Sequence, residues 1–173
     1  MGLIFELRQA TDAQIATLIA DPPLIHDFLD EEDDGTEPLF ERFTDDEICI
    51  DKAWHGIHYL LTGTDWSGDP LLDFVLSGGV EIGFEDVGYG LARALTSAEV
   101  AVVSRALTAI TADTLRARYD PVAMMEDNIY PNIWDHDPAE DDLLGYLIEN
   151  FELLKAFCAR TTASGRGLVV YLC

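Results

Sequence analysis

A long amphipathic helix followed by a short apolar strand dominates the C-terminal part of the sequence. The predicted helix begins at Asp137-Pro138, has Glu140 as its capping partner and ends near Gly165, with large apolar residues along one side. The segment at 167–172 (GLVVYL) then has the composition of a buried strand. A second strand is predicted at 3–8 (LIFELR), so the chain combines helices with a sheet.

Capping residues and apolar spacing predict the remaining elements. Further helices are predicted to begin at Thr11 or Asp12, at Asp51, at Pro70, at the Thr96–Glu99 capping box and at Asp120-Pro121. Val80, Ile82 and Phe84 alternate with other residues, which is typical of a strand, and 89–95 is predicted as another. The chain has 173 residues and no internal repeat. We therefore expect an α+β fold: a single compact domain over 1–173, with one small, mostly antiparallel sheet packed with several helices.

The charge of the chain is strongly one-sided. It carries 33 acidic residues against 10 basic ones, for a formal net charge of −23. A field of that sign repels nucleic-acid phosphates and anionic membrane surfaces, which argues against both as partners, and it attracts basic proteins. The acids are densest between Asp21 and Glu47, where 12 of them stand against one base. Within this stretch, residues 30–47 are predicted to form an exposed acidic loop.

The cysteines indicate a reducing compartment. Cys49, Cys158 and Cys173 are odd in number and far apart, and none belongs to a Cys-x-x-Cys pair. This usage is typical of free thiols in a cytosolic protein, and the N-terminus resembles no signal peptide, so we expect a cytoplasmic location. The sequence does not indicate an oligomeric state.

Three segments resemble the YfbM-like family of uncharacterised bacterial proteins. The run from Asp51 to Gly63 (DKAWHGIHYLLTG) resembles the family's central helix and turn, and Asp69-Pro70-Leu71 follows it. The start Met1–Ile4 resembles its opening strand, and Glu126–Trp134 (EDNIYPNIW) its second signature. The resemblance implies a compact bacterial α+β domain with one sheet flanked by helices. It implies no reaction and transfers no catalytic residue, and the acids of 30–37 depart from the family pattern.

The helix and turn at 51–70 contain the weak candidates for catalysis. His55 and His58 lie on adjacent helical turns, but His58 shares the face of Trp54 and Leu61 and is predicted to be a buried core histidine. Asp65 and Asp69, beside Trp66, could act in general acid–base chemistry if burial separated their pKa values. The competing interpretation is a surface turn in which each carboxylate accepts from nearby amides. With no third ligand evident, the sequence predicts neither a metal nor a cofactor.

Two groups of residues are candidates for binding. Tyr130, Asn132 and Trp134 could line a pocket together with Trp66, or the aromatic rings could anchor their loop to the core. The acids Glu31, Glu32, Asp33 and Asp34, with Phe40 as an apolar anchor, could form an acidic face for a basic partner.

These features favour a non-enzymatic bacterial protein-interaction module that neutralises a basic partner. An enzymatic role stays open: the alternative is a small hydrolase or small-molecule-binding protein with its site at 51–70 and 130–134.

Overall fold

Five antiparallel strands form one sheet at the centre of the fold. The computed structural model describes residues 2–29 and 39–173. In the order in which they lie side by side, the strands are β2 (Glu47–Cys49), β1 (Phe5–Ala10), β5 (Gly167–Leu172), β4 (Leu91–Leu95) and β3 (Val80–Asp86). All the pairings are antiparallel. The predicted α+β class, with one small antiparallel sheet in a single compact domain, is confirmed.

The first and last strands of the chain are neighbours. β1 and β5 pair over their whole lengths, from Phe5 opposite Leu172 to Ala10 opposite Gly167. The apolar composition of β5 fits its position in the interior of the sheet, since a strand covered on both faces needs apolar side chains pointing both ways. β1 also lies in the interior but carries Glu6, Arg8 and Gln9 among its six residues.

Helices cover both faces of this sheet. They are α1 (Asp12–Ala20), α2 (Ile25–Leu29), α3 (Trp54–Thr62), α4 (Ser97–Thr108), α5 (Ala112–Arg118), α6 (Pro121–Glu126) and α7 (Leu143–Ala163). Short 3₁₀ turns precede α2 and α3. The predicted caps of α1, α4 and α6 are confirmed: Thr11 and Thr96 form capping boxes, and the Asp120 carboxylate accepts from two amides of α6. None of the described helices combines the length and the apolar character needed to cross a bilayer.

Two apolar clusters lie on opposite faces of the sheet. The larger contains buried side chains of α3, α4 and α7 together with Leu7 and Val170. The smaller contains α1, α2 and Phe40 together with Ala10 and Val169. Adjacent residues of β5 therefore enter different clusters, as the alternation of a strand requires.

Three predicted helix starts are wrong. Asp51 does not cap α3: it lies in the preceding 3₁₀ turn with φ +48°, and its carboxylate accepts from the Tyr146 hydroxyl, 2.9 Å away. α7 begins at Leu143, after Asp142, because the acid-rich residues 137–141 form turns instead. The third is Pro70, after which the chain forms turns. There the Arg93 guanidinium binds the carbonyl oxygens of Phe74 and Val75, which a helix would need for its own hydrogen bonds.

Candidate functional site

His55 is held by hydrogen bonds at both ring nitrogens. Its side chain is buried in α3, where Nδ1 accepts from the Tyr130 amide at 2.9 Å and Nε2 lies 2.8 Å from the Asp65 carbonyl oxygen. Because the amide can only donate, the ring is the Nε2–H tautomer and donates to Asp65. Burial lowers the pKa of His55, which keeps the ring neutral. The imidazole therefore ties two loops to α3, and neither nitrogen is free to act as a base or a metal ligand.

An aromatic stack surrounds His55. Its ring stacks on Trp54 at 5.0 Å between centroids and contacts Trp66 at 4.6 Å, while Trp54 stacks on Tyr130 at 5.4 Å. The Trp54 indole donates to the Leu3 carbonyl oxygen, and the Leu3 amide donates to the Tyr130 hydroxyl. The three segments that carry the family resemblance thus meet in one structural unit.

The two candidate carboxylates accept hydrogen bonds from amides of their own turns. Asp65 and Asp69 are exposed. The Asp65 carboxylate accepts from the Trp66 amide at 2.9 Å, and that of Asp69 accepts from the Leu71 amide at 3.0 Å. These are the local bonds expected of aspartates in surface turns. The structure therefore brings Asp65 to His55 through its backbone oxygen, and the hydrogen-bonded carboxylate oxygen is engaged within its own turn.

Most of the predicted binding aromatics face inward. Trp134 is buried, donates its indole N–H to the Ile129 carbonyl oxygen at 2.7 Å and lies against Gly56, where an added Cβ would sit 2.8 Å from the ring. Phe40 is also buried, edge-on to Phe28. Tyr130 is half-buried, and Asn132 is an exposed turn residue with φ +63°. Trp66, 62% exposed, is the predicted binding aromatic that reaches solvent most fully. Glu31, Glu32, Asp33 and Asp34 lie outside the described residues.

His58 is fully buried, as predicted. Its Nε2 lies 3.4 Å from the Thr62 hydroxyl, and its Nδ1 has no hydrogen-bond partner within the described part of the chain. Burial, and secondarily the neighbouring His55, lower its pKa to about 4, so the ring is neutral at pH 7. Among residues 2–29 and 39–173, no three His, Cys, Asp or Glu side chains are grouped so that they could hold a metal ion.

Four of the ten basic side chains donate hydrogen bonds to main-chain carbonyl oxygens. Arg118 donates to the carbonyl oxygens of Leu60 and Leu61, and Lys155 donates to that of Ile110. Arg93 donates to Phe74 and Val75, and burial lowers its pKa to about 10. Arg8, fully buried, binds the Glu47 carboxylate and the Phe28 carbonyl oxygen. Arg8 and Lys155 also lie within ion-pair distance of the Glu47 and Glu152 carboxylates. With 33 acids and only 10 bases, the bases are too few to pair with most of the carboxylates, and the net charge of −23 makes the field outside the molecule negative.

The β3–β4 hairpin presents apolar side chains on this acidic background. Phe84 is 96% exposed, and Val80 and Tyr89 are about half exposed. Strict alternation would place Phe84 beside the buried Ile82, but the register of β3 shifts between Glu81 and Asp86, and Gly83 has φ +65°. This bulge turns Phe84 outward. Sequence reasoning missed these residues, although a glycine inside an alternating strand is a signal for a bulge.

Comparison with known proteins identifies the fold. A family profile described as "Domain of unknown function (DUF1877)" matches residues 1–171. A solved structure, described as a protein of unknown function YfbM from Escherichia coli, superposes with a TM-score of 0.72 at 21% identity, over 98% of this chain and 99% of that one. No curated protein matches the chain. At that identity the structural match supports a shared fold and carries no activity.

Proposed function

This chain belongs to the DUF1877 family, and we propose that it acts without catalysis, as a module that binds a basic protein and neutralises its cationic surface. The proposal rests on one observation, the groups to which the basic side chains donate hydrogen bonds. Four of the ten bases, Arg8, Arg93, Arg118 and Lys155, donate to carbonyl oxygens of the fold, and the acids outnumber the bases 33 to 10. An acidic surface accelerates association with a positively charged partner and rejects nucleic acid and anionic membranes.

The hydrogen bonds and burial of the candidate catalytic residues also support a non-catalytic role. A general base needs a free nitrogen or carboxylate within reach of a substrate. Both nitrogens of His55 are occupied by main-chain groups, and the Asp65 and Asp69 carboxylates accept from local amides. Trp134, the third member of the hypothetical cleft, is buried in the core. His55 and Trp134 are therefore engaged in holding the fold, and each aspartate has one carboxylate oxygen engaged by a local amide.

The experiment is affinity capture from a lysate of the source organism with two matched variants. The first replaces Glu31, Glu32, Asp33 and Asp34 with their amides. The control replaces four exposed acids elsewhere on the chain, Glu126, Asp135, Glu149 and Glu152, and so makes the same change in net charge. Capture is compared at low salt and at about 1 M salt, where the Debye length falls to about 3 Å.

The proposal predicts a basic protein that the wild type captures at low salt and loses at high salt. The variant at 31–34 should lose more of it than the control variant, because those acids lie in the densest acidic stretch of the sequence. If nothing is captured at low salt, or if the captured proteins are acidic, the proposal is wrong. If both variants lose the same amount of captured protein, net charge alone explains the binding, and the acids at 31–34 do not form a specific binding face.

A further inference from the structure

We propose that Phe84, on the bulge of β3, is the apolar anchor with which this protein docks into a pocket rimmed by Lys and Arg on its basic partner. The inference rests on the proposed function and adds the contact surface. We call that surface the hairpin surface and define it by Val80, Glu81, Phe84, Asp86 and Tyr89. All five of these side chains are exposed.

The exposure of Phe84 is built into the backbone. A phenylalanine that is 96% exposed leaves a large apolar area in water, and no packing among the described residues accounts for it. The cause is Gly83, whose positive φ turns the next side chain away from the sheet. Pro22 packs so closely against Gly83 that an added Cβ would collide with it. Two independent constraints, the φ angle and this contact, therefore hold the bulge in place.

The hairpin is also ordered before any partner arrives. The Asp86 carboxylate accepts from the amides of Gly88 and Gly90, at 2.7 and 3.0 Å. The Tyr89 amide donates to the Leu172 carbonyl oxygen at 3.0 Å, which ties the turn to the end of β5. An anchor on a pre-ordered support loses little conformational entropy on binding.

Charge determines which partner fits. Residues 53–92 contain no Lys or Arg, and the first base that follows, Arg93, donates to carbonyl oxygens of the 74–78 turn. Glu81 and Asp86 lie on the same strand as Phe84 and are exposed, and Asp21 precedes the proline that abuts the bulge. A second copy of this chain would meet the surface with the same negative charge. A basic rim around an apolar pocket complements both features.

The bulge favours binding through side chains over the addition of a strand from the partner. β3 is an edge strand and, within the described residues, pairs only with β4. An edge strand can accept an additional strand, but a bulge interrupts the regular ladder that such an addition requires. The hairpin surface therefore binds through side chains, with Phe84 inserted as a knob.

Site-specific photo-crosslinking tests the inference on the full chain. The photoreactive residue p-benzoylphenylalanine replaces Phe84 in one protein and Val122 in a control, because Val122 is 67% exposed and lies on α6, outside the hairpin surface. Both proteins are irradiated in the source lysate at low and at high salt, and the adducts are identified by mass spectrometry. The purified adduct partner is then titrated with the Phe84→Ser and Val122→Ser variants.

We expect position 84, and not position 122, to crosslink to a basic protein in a salt-sensitive manner. Phe84→Ser should weaken binding of that protein about tenfold, whereas Val122→Ser should leave it unchanged. An adduct with a second copy of this chain, an acidic partner, or equal crosslinking at both positions would overturn the inference. If affinity capture finds a salt-sensitive basic partner but position 84 forms no adduct with it, the hairpin docking is wrong and the proposed function stands. If no such partner is captured, both fail.

Discussion

Replacing His55 with leucine separates a structural role from a catalytic one. The imidazole accepts from the Tyr130 amide and donates to the Asp65 carbonyl oxygen, with distances of 2.9 and 2.8 Å. It also stacks on the Trp54 ring and contacts the Trp66 ring at an angle. Leucine is similar in volume but has no polar atom, so His55→Leu leaves both main-chain groups without their partner.

The cost follows from those contacts. Removing the hydrogen-bond partner of a main-chain group in a partly buried position costs about 1–3 kcal/mol, a figure that already includes the lost bond. Loss of the ring stacking adds about 0.5–1.5 kcal/mol, and the apolar contacts of leucine offset part of the total. We expect His55→Leu to lower the free energy of unfolding by about 3 kcal/mol.

Urea unfolding followed by tryptophan fluorescence measures this change directly. The control is His136→Leu, because His136 is nearly half exposed and its carboxylate partner Asp141 is exposed too, so its loss should cost less than about 1 kcal/mol. If His55→Leu unfolds at the same urea concentration as the wild type, the structural role of His55 is refuted. His55 would then again be a candidate for catalysis or binding.

Two further predictions concern His58 and Gly83. Because the pKa of His58 is about 4 in the folded protein against 6.5 ordinarily, the unfolded chain binds more protons between these values. The free energy of unfolding should therefore fall as pH is lowered from 6.5 to about 4, and His58 should contribute up to about 1.4 kcal/mol per pH unit to that fall. Urea unfolding of wild type and His58→Leu at several pH values measures this contribution, which the variant should lack. If the two proteins show the same pH dependence, the assignment is wrong. Gly83→Ala should lower the free energy of unfolding by about 2 kcal/mol in the same assay, since alanine is strained at φ +65° and its Cβ meets Pro22. Gly165→Ala places alanine at nearly the same φ, +64°, with no neighbouring atom within 4 Å, and should cost less. Equal losses would show that the Pro22 contact does not matter.

Local chemistry made much of the fold predictable. Thr11, Thr96 and Asp120 cap their helices because each cap needs only a side-chain oxygen and a nearby amide, which lie close in sequence. The C-terminal strand was predictable from its short apolar run. The wrong helix starts at Asp51 and Pro70 depend on distant residues, since Tyr146 and Arg93 bind groups that a local interpretation leaves free. Such contacts follow from the tertiary structure and have no signature in the local sequence.

The candidate site was predictable only in part. The burial of His58 followed from helical spacing, whereas the engagement of both nitrogens of His55 depends on Asp65 and Tyr130, which only the fold brings together. The outward turn of Phe84 depends on the φ angle of Gly83, and an alternating pattern alone predicts the opposite orientation. The hydrogen bonds that Arg93 and Arg118 donate to main-chain oxygens likewise cannot be inferred from the net charge.

The dependence of the association rate on salt is the most direct test of the central claim, that an uncompensated acidic surface recruits a basic protein. The partner isolated by affinity capture is mixed with this protein in a stopped-flow instrument over a series of salt concentrations. Electrostatic steering predicts that the association rate constant falls at least about tenfold between low salt and about 1 M, while the dissociation rate constant changes much less. An association rate constant that is the same at every salt concentration would contradict the account.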